Sequence, residues 1–340
     1  MTLPHAFGPV PLGGVLRAEV DDFEVDEELG FEPEGVGEHA FLLVEKRDAN
    51  TEWVARQLAG FAGVIPSAVG FAGLKDRRAV ARQTISVQLP GRADPDWAAL
   101  AIPGVRVLSA VRHNRKLRRG AHRGNRFRIR LRRVRGARDE AGHRLATIAA
   151  RGVPNYFGEQ RFGRNEGNLV SARALFAGAR MPRASRSLSL SAARSYLFNL
   201  VLAERVRAGT WDRAMDGDVW MLAGSHSVFG PEQWSERLTG RLAAFDIHPT
   251  GPMWGRGDLR SGDRVREMEQ AVAGANGELS AGLAAAGLEQ ERRSLRLRVR
   301  DLTHEWEAPD SLVLAFRLES GAFATTMLRE LCDCAAALDG

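Results

Sequence analysis

Residues 125–133 read NRFRIRLRR, and this stretch shows the clearest secondary-structure pattern in the chain. Phe127, Ile129 and Leu131 alternate with arginines, and a period of two residues is typical of a β-strand. One face of such a strand packs on an apolar core, while the other presents a row of guanidinium groups. Asn125 has the same parity as Phe127. An amide and an aromatic ring are therefore predicted to share one face at the start of this strand.

A second stretch, residues 70–83, reads GFAGLKDRRAVARQ and places one carboxylate, Asp76, among cations. Lys75 precedes it and two arginines follow. The next residues, QTISVQL, alternate like a strand, so Asp76 is predicted to lie on a turn beside a sheet. Neighbouring positive charge favours the ionised carboxylate. Such a group suits a nucleophile or an electrostatic stabiliser rather than a general acid, and a solvated surface turn is the alternative interpretation.

Predicted strands lie near both ends of the chain. Besides those already described, they are residues 40–45, 105–111, 294–300 and 312–318. Helices are predicted at residues 51–63, with Asn50 or Thr51 as the N-cap, and at residues 139–151, 191–207, 264–288 and from 324 onward. The glycine-rich segments 217–229 and 250–257 are predicted to be loops. This distribution favours one sheet domain built from both ends, with a helix-rich domain inserted between them.

Length and charge bound the possible functions. The chain has 340 residues, which is enough for two domains with full cores. Its formal charge is +6, and the segment 112–138 holds thirteen Lys or Arg residues and no acid. Such a segment favours binding to phosphate groups, with a solvated face in an arginine-rich chain as the alternative. Only three lysines occur, Lys46, Lys75 and Lys116, and the one beside Asp76 suggests a need for a compact ammonium there.

Several classes of protein are disfavoured by the sequence. It contains no apolar run of about 18 residues that would predict a membrane span, and its first residues lack a secretory pattern. Cys332 and Cys334 are too close in sequence to staple a fold, so a reducing cytoplasm is predicted. Eight scattered histidines without a C-x-x-C pair make a structural zinc site improbable. Phosphate-loop, dinucleotide-binding and nucleobase-deaminase motifs are missing, so neither a metal nor a cofactor is predicted.

Six segments together resemble the TruD family of tRNA pseudouridine synthases, almost from one end of the chain to the other. They are DDFEVDEEL from Asp21, AGLKDRRAVARQ from Ala72, RKLRRGAHRGNRF from Arg115, PNYFGEQRFG from Pro154, SAARSYLFN from Ser191 and SGAFATTMLREL from Ser320. The combination of AGLKD with a later PNYFGEQRFG is very specific.

The resemblance implies an α+β fold: a pseudouridine synthase domain with a mixed, mainly antiparallel sheet, and an inserted α/β domain characteristic of the family. It implies a catalytic domain at residues 1–152 and 300–340 and the insertion at residues 153–299. The implied activity is cofactor-free isomerisation of uridine to pseudouridine in tRNA, typically at position 13 in the dihydrouridine arm. Asp76 matches the family's catalytic aspartate. Addition to the sugar, addition to the uracil ring and abstraction of a sugar proton are all compatible with a carboxylate there.

The resemblance also implies which residues contact the substrate. A flipped base needs a π-surface and hydrogen bonds at its edge, and Phe127 matches the family's phenylalanine that packs against the target ring. The other matching positions are Phe23, Asn125, Phe323 and Arg17. Related enzymes often have lysine at the position of Arg17, and a guanidinium could pair with Asp76 at two points. For Phe127 and Phe323 core packing is the alternative, whereas Phe23 has acidic neighbours and is not expected to be deeply buried.

The basic residues of the same segments are assigned to RNA. Those expected to contact phosphates are Lys75, Arg77, Arg115, Lys116, Arg118, Arg119 and Arg123. The implied partner is tRNA, no membrane is involved, and a monomer is the default state. A non-catalytic RNA-binding protein, such as a folding chaperone, would use the same arginine face. The chemical role of Asp76 separates these two hypotheses.

Overall fold

The computed structural model describes residues 2–336, which form sixteen strands and eight α-helices. The strands are β1 (Leu12–Leu16), β2 (Phe23–Glu28), β3 (His39–Arg47), β4 (Val69–Phe71), β5 (Val80–Gln88), β6 (Val105–His113), β7 (Gly124–Gly136), β8 (Val153–Pro154), β9 (Trp220–Leu222), β10 (Val228–Phe229), β11 (Ile247–Met253), β12 (Glu291–Ser294), β13 (Arg296–Leu297), β14 (Arg300–Ala308), β15 (Ser311–Glu319) and β16 (Cys332–Ala336). The α-helices are α1 (Thr51–Phe61), α2 (Arg138–Arg151), α3 (Gly167–Phe176), α4 (Arg183–Arg207), α5 (Glu236–Ala243), α6 (Asp263–Ala275), α7 (Gly277–Ala285) and α8 (Ala324–Leu328). Within this described range, no helix combines the length and the apolar character needed to cross a membrane.

The described chain divides into two compact units. The sheet unit comprises residues 11–145, 299–324 and 331–336, and the helical unit comprises residues 2–10, 146–298 and 325–330. As in the sequence-based division, the sheet unit takes segments from both ends of the chain. The bounds differ, because residues 2–10, 146–152 and 325–330 group with the helical unit and residue 299 groups with the sheet unit.

The sheet unit is built on a ten-stranded sheet. Its main path follows the order β14-β15-β7-β2-β5-β3-β6, while β1 pairs with β7 and β16, and β4 pairs with β5. Among these described strands, only the β1–β16 and β2–β5 pairs are parallel. The predicted α+β fold with a mixed, mainly antiparallel sheet is therefore confirmed.

Helix α1 covers one face of this sheet. The side chain of Asn50 caps its first turn by accepting hydrogen bonds from the N–H groups of Glu52 (2.9 Å) and Trp53 (3.4 Å). The core beneath the helix includes Leu42, Val44, Val54, Leu58, Ile85 and Val87. Because side chains alternate along a strand, the face of β3 that supplies Leu42 and Val44 continues to Lys46 at the strand's end. An ammonium group is thereby placed at the margin of an apolar core.

Strand β7 contains the stretch that predicted it. The four side chains on its inner face are buried: Asn125, Phe127, Ile129 and Leu131. It lies between β15 and β2, where Phe127 is opposite Phe316 on one side and Val25 on the other. The period-two prediction for this strand is confirmed.

The helical unit has its own small sheets and cores. Its strands form a four-stranded sheet in the order β10-β9-β11-β12 and a two-stranded pair of β13 and β8. The 25-residue helix α4 packs against α3, α6, α7 and β11. One core at these helices contains Leu169, Leu190, Leu197, Leu279 and Leu283.

Three sequence predictions for the inserted segment are wrong. The predicted loops at residues 217–229 and 250–257 contain β9, β10 and most of β11. The single helix predicted at residues 264–288 is two helices, α6 and α7. The single strand predicted at residues 294–300 is divided among β12, β13 and β14. Its arginine Arg296 is 5% exposed, so the expected alternation of buried and exposed residues fails there.

The C-terminal segment also differs from its prediction. Helix α8 ends at Leu328, and β16 follows it instead of a longer helix. Strand β16 runs parallel to β1, and Cys332 and Cys334 are joined by a disulfide within it. This bond was not predicted. A separation of two residues keeps the link local to one strand, so it does not staple distant parts of the chain.

Candidate active site

The loop that carries Asp76 is held in place by the buried side chain of Lys46. The Lys46 ammonium donates hydrogen bonds to the carbonyl oxygens of Ala49 (2.7 Å) and Asp76 (2.7 Å) and lies 3.4 Å from that of Lys75. Burial lowers the pKa of Lys46 to about 8, while the charge of Asp76 acts in the opposite direction. The backbone of the aspartate is thus fixed by a fully buried side chain.

Two polar side chains hold the same loop from the side of α1 and β5. The Thr51 hydroxyl accepts a hydrogen bond from the Lys75 N–H (3.1 Å) and donates to the Gln83 amide oxygen (2.9 Å). The Gln83 amide nitrogen donates to the Gly73 carbonyl oxygen at 3.4 Å. Thr51 and Gln83 are both 0% exposed. The loop is consequently preorganised, with little freedom left for its backbone.

The Asp76 carboxylate itself remains accessible and pairs with Arg17. Its side chain is 43% exposed, and Oδ2 accepts a short hydrogen bond from Nη2 of Arg17. The same guanidinium lies 4.1 Å from the ring centroid of Phe23. Arg17 has a φ of 58°, in the left-handed region that costs a non-glycine residue about 1–2 kcal/mol. The chain turns sharply after β1 at this residue, whose side chain connects the carboxylate to an aromatic ring.

Three phenylalanines form an aromatic cluster next to Arg17. The Phe23 and Phe127 ring centroids are 6.0 Å apart at an angle of 72°, and Phe127 stacks on Phe316 at 5.4 Å. Phe23 is only 3% exposed, so the expectation that its acidic neighbours would keep it near the surface is wrong. Asp22, the residue before it, is also fully buried. The protein tolerates this buried carboxylate because Arg132 donates to both of its oxygens at 2.9 Å.

Asn125 lies on the same face of β7 as Phe127. It is 7% exposed, and its amide oxygen Oδ1 is buried without a hydrogen-bond partner among the described residues. A buried amide oxygen left unpaired costs about 1–3 kcal/mol relative to a satisfied one. The site therefore holds an acceptor with unused hydrogen-bonding capacity, which a ligand N–H could satisfy.

Lys75 does not present its charge to solvent. Its ammonium lies 2.6 Å from a carboxylate oxygen of Glu27, with side chains 5% and 0% exposed. His122 is close to this pair, and burial lowers the pKa of its imidazole, assisted by the Lys75 charge and opposed by Glu27. The assignment of Lys75 to RNA phosphates is corrected by this geometry, because its ammonium is already paired inside the protein.

The remaining basic residues of the assignment fall into two groups. Three have partners: Arg77 lies 3.4 Å from Asp48, Arg119 lies 3.5 Å from Glu52 and over the ring of Phe71, and Lys116 donates to the Ser67 carbonyl oxygen. Arg115, Arg118 and Arg123 have no acidic partner within the described part of the chain. The guanidiniums of this second group are not neutralised by any acidic side chain in the described part of the chain.

The arginine face of β7 differs from its expected role. The four guanidiniums of Arg126, Arg128, Arg130 and Arg132 all lie within 4 Å of acidic side chains. Glu307 alone contacts two of them, at 3.1 Å from Arg128 and 2.9 Å from Arg130. Acidic side chains of the sheet unit therefore neutralise these four arginines of the basic segment 112–138.

Phe323 is placed apart from the aromatic cluster. It lies in the loop after β15 and is 41% exposed. Among the described residues, no ring contact joins it to Phe23 or Phe127. Of the predicted substrate-contacting residues, the structure therefore groups Arg17, Phe23, Asn125 and Phe127 and leaves Phe323 on the surface.

Sequence reasoning missed several residues of this site, among them Lys46 and Glu27. One signal for Lys46 was present, because it is one of three lysines in the chain and follows apolar residues at alternate positions in β3. Glu27 gave no such signal, since its pairing with Lys75 joins segments distant in sequence.

Within residues 2–336, no group of three or more His, Cys, Asp or Glu side chains is arranged so that it could hold an ion.

Comparison with known proteins gives a consistent result. A profile of the family described as tRNA pseudouridine synthase D (TruD) matches residues 6–178 and 169–331. A tRNA pseudouridine synthase D of Xanthomonas axonopodis pv. citri is 51% identical over 350 residues, covering 98% of this chain and 95% of that protein. The enzyme of the same name from Methylococcus capsulatus is 50% identical over 331 residues, covering 97% and 94%.

A solved structure supports the fold independently. The crystal structure of a Methanosarcina mazei protein, named as a candidate tRNA pseudouridine synthase D, matches with a TM-score of 0.73. The match covers 96% of this chain and 95% of that one at 22% identity, which supports a shared fold. With the family profile and the identities near one half, these matches show that the chain belongs to the TruD family of tRNA pseudouridine synthases.

Proposed function

We propose that this chain isomerises uridine to pseudouridine in tRNA, with uridine 13 of the dihydrouridine arm as its target. The curated relatives that are 49–51% identical carry the name tRNA pseudouridine synthase D, which supports the activity. In this reaction the C1′–N1 bond breaks and a C1′–C5 bond forms, while C5 loses a proton and N1 gains one. No electrons are transferred to another molecule, so the proposed reaction requires no cofactor.

The arrangement of Asp76 is the observation that carries this proposal. Its backbone is held by Lys46 while 43% of its side chain is open to a ligand. A carboxylate fixed in position without being buried can meet a substrate atom at little entropic cost. We assign Asp76 the catalytic role in glycosidic bond cleavage.

Arg17 is proposed to orient the Asp76 carboxylate and to balance its negative charge. Its guanidinium donates to Asp76 and rests on the Phe23 ring, so that it has two fixed contacts. When the substrate enters, the guanidinium can remain on the ring and stabilise negative charge on either the carboxylate or the departing uracil.

Asn125 and Phe127 are proposed to bind the flipped uracil. The free Oδ1 of Asn125 can accept a hydrogen bond from the N3–H group of the base. Phe127 supplies an aromatic surface beside it, because both side chains lie on the same face of β7. A base outside the helix stack requires both an edge contact and an aromatic contact.

Contacts farther from the reacting base are assigned to exposed side chains. We propose Phe323 as a surface ring that meets the substrate, and Arg115, Arg118 and Arg123 as contacts to RNA phosphates. Because tRNA is the proposed partner, we place the activity in the cytoplasm, and we take a monomer as the acting form.

Replacement of the carboxylate tests the proposal. We expect wild-type protein to form pseudouridine at position 13 of a uridine-bearing tRNA transcript, mapped by its carbodiimide adduct. Asp76→Asn should lower the single-turnover rate on the order of 10³-fold or more, with tRNA affinity retained. Asp48→Asn removes a nearby exposed carboxylate that pairs with Arg77 and serves as the matched control.

Each outcome bears on a different part of the proposal. Tight tRNA binding by the wild type without any pseudouridine would favour the non-catalytic RNA-binding hypothesis. Full activity in Asp76→Asn would remove this residue from the chemistry. Product at a uridine other than position 13 would correct the target while leaving the enzyme class intact.

A further inference from the structure

A cavity of about 670 Å³ lies in the sheet unit on the face opposite α1. Its walls include Phe31, His39, Phe41, His113, Arg115 and Arg118. The volume is in the range of about 300–1,000 Å³ that is common for small-molecule and cofactor sites. No acidic residue is found among the described residues that line it. An apolar, basic and histidine-bearing cavity of this size is suited to a nucleotide.

The two histidines form a buried cross-strand pair. His39 at the start of β3 lies directly opposite His113 at the end of β6, so both side chains project from the same face. They are 6% and 9% exposed, and neither Nδ1 has a hydrogen-bond partner in the described chain. Burial lowers the pKa of His39, which favours the neutral imidazole with one donor and one acceptor. The pair has hydrogen-bonding capacity that the protein does not use.

An aromatic wall adjoins the histidines. The His113 ring lies 4.7 Å from that of Phe41 and 5.6 Å from that of Phe31. Phe41 is 3% exposed, whereas Phe31 is 41% exposed. Phe31 therefore keeps an open ring face on which a base could stack.

Basic side chains also line the cavity. Arg115 and Arg118 are exposed and have no acidic partner in the described residues, unlike Arg128 and Arg130 of β7. A guanidinium that is not neutralised can bind a phosphate at two points. The cavity thus combines a stacking surface, imidazole nitrogens and free guanidiniums.

The end of the cavity at His39 lies well away from the Asp76 loop along β3. His39 and Lys46 lie at opposite ends of β3, seven residues apart, which corresponds to about 23 Å along the strand. Lys46 contacts the Asp76 backbone, so the cavity marks a second position on the same unit. Residues 114–123 connect the two positions, since they begin at the cavity and end immediately before β7 and Asn125.

We propose that this cavity is a second nucleotide site, which takes one unstacked nucleotide of the bound RNA at a distance from the target uridine. The base stacks on Phe31, its edge meets the imidazoles of His39 and His113, and its phosphate meets Arg115 and Arg118. The continuity with residues 114–123 favours a nucleotide of the same RNA over a free one. This inference rests on the proposed function insofar as the RNA is the substrate tRNA.

Measurements of tRNA affinity in a catalytically inactive variant test this site. In Asp76→Asn protein we expect Phe31→Ala to raise the Kd for tRNA about 5- to 150-fold, the range for loss of one base–aromatic contact. Arg115→Ala should also raise the Kd for tRNA and should weaken the dependence of this Kd on salt concentration. The matched controls are Phe61→Ala, which removes a ring 38% exposed in the same unit, and Arg135→Ala at the far end of β7. Both controls should leave the Kd within about twofold of the parent.

A direct measurement identifies the ligand. With ¹⁵N-histidine-labelled Asp76→Asn protein, a short single-stranded oligoribonucleotide should shift the imidazole signals of His39 and His113. Inorganic phosphate alone should not, and AMP or CMP should do so only at much higher concentration. Unchanged signals with RNA, or an unchanged Kd in Phe31→Ala, would overturn the proposal. Strong AMP binding without any effect of Phe31→Ala on tRNA would also overturn it, in favour of a free nucleotide.

The two proposals can fail separately. If the wild type makes no pseudouridine while Phe31→Ala still weakens tRNA binding, the second site stands and the proposed function does not. If the enzyme is active and Phe31→Ala binds tRNA normally, the proposed function stands alone.

Discussion

Lys46 links the stability of the sheet unit to pH. Burial lowers its pKa in the folded protein to about 8, from the ordinary value of 10.5. Between these two values the unfolded chain binds more protons at this position than the folded protein does. The contribution of Lys46 to the free energy of unfolding therefore rises as pH increases from about 8 to about 10.5.

We predict the opposite trend for activity. Above its pKa of about 8, the neutral amine has two N–H donors for the three carbonyl oxygens that it now approaches. The Asp76 loop should loosen, and kcat at saturating tRNA should fall while the melting temperature does not. The profile can be measured from roughly pH 6 to 9.5. Lys46→Met should be less active throughout and should lack this alkaline decline; a decline of the same shape would assign it to another group.

Arg17 allows a second prediction at the residue scale. Lysine keeps the positive charge but not the planar group that rests on Phe23 while donating to Asp76. We expect Arg17→Lys to lower kcat on the order of tenfold, and Arg17→Ala on the order of 10²-fold or more. The melting temperature should change little, because a partly exposed ion pair contributes at most about 1 kcal/mol. Equal kcat in all three proteins would show that the contact has no catalytic consequence.

At the scale of elements, β7 shows how a correct strand prediction can mislead about function. The period of two residues predicted the buried and exposed faces, but it could not show that Glu24, Asp22 and Glu307 neutralise the arginines. Glu307 belongs to β14, far along the chain, so the pairing depends on sheet order rather than on local pattern.

RNA affinity should therefore depend on the loop before β7 more than on β7 itself. We expect Arg118→Ala to weaken tRNA binding and to reduce the slope of log Kd against log salt by about one phosphate contact. Arg130→Ala removes a guanidinium paired with Glu307 at 2.9 Å, and should leave that slope unchanged. Filter binding over a series of salt concentrations distinguishes them. A larger slope change in Arg130→Ala would restore the β7 face as the RNA surface.

Other elements could not be predicted from local sequence for identifiable reasons. Strand β11 reads IHPTGPM, and its two prolines and glycine argue against a strand, yet it pairs with both β9 and β12. Residues 294–300 alternate like a strand, but Arg296 is buried because its guanidinium donates to the carbonyl oxygens of Leu242 (2.7 Å) and Ile247 (3.3 Å). In both segments tertiary hydrogen bonds override the local pattern.

At the scale of the whole molecule, the site assembles from segments that the chain order separates. Arg17 follows β1 and Asp76 lies before β5, while Lys46 is the next-to-last residue of β3 and Asn125 the second residue of β7. Sequence patterns predicted the strands and the charged turn, and the family resemblance supplied the roles of individual residues. The contacts of Lys46 with the Asp76 loop and of Glu27 with Lys75 depend on the order of the strands in the sheet. Local sequence patterns do not give that order.

The division into two units leads to a prediction about unfolding. Leu42 belongs to the core under α1 in the sheet unit, and Leu283 belongs to a core of the helical unit; both are 0% exposed. Truncating a buried leucine to alanine costs about 2–5 kcal/mol, which corresponds to a shift on the order of 4–20 °C for a unit of this size. Because each leucine packs within its own core, calorimetry should show two transitions, with Leu42→Ala lowering one and Leu283→Ala lowering the other. One shared transition displaced equally by both substitutions would show instead that the units unfold as a single cooperative body.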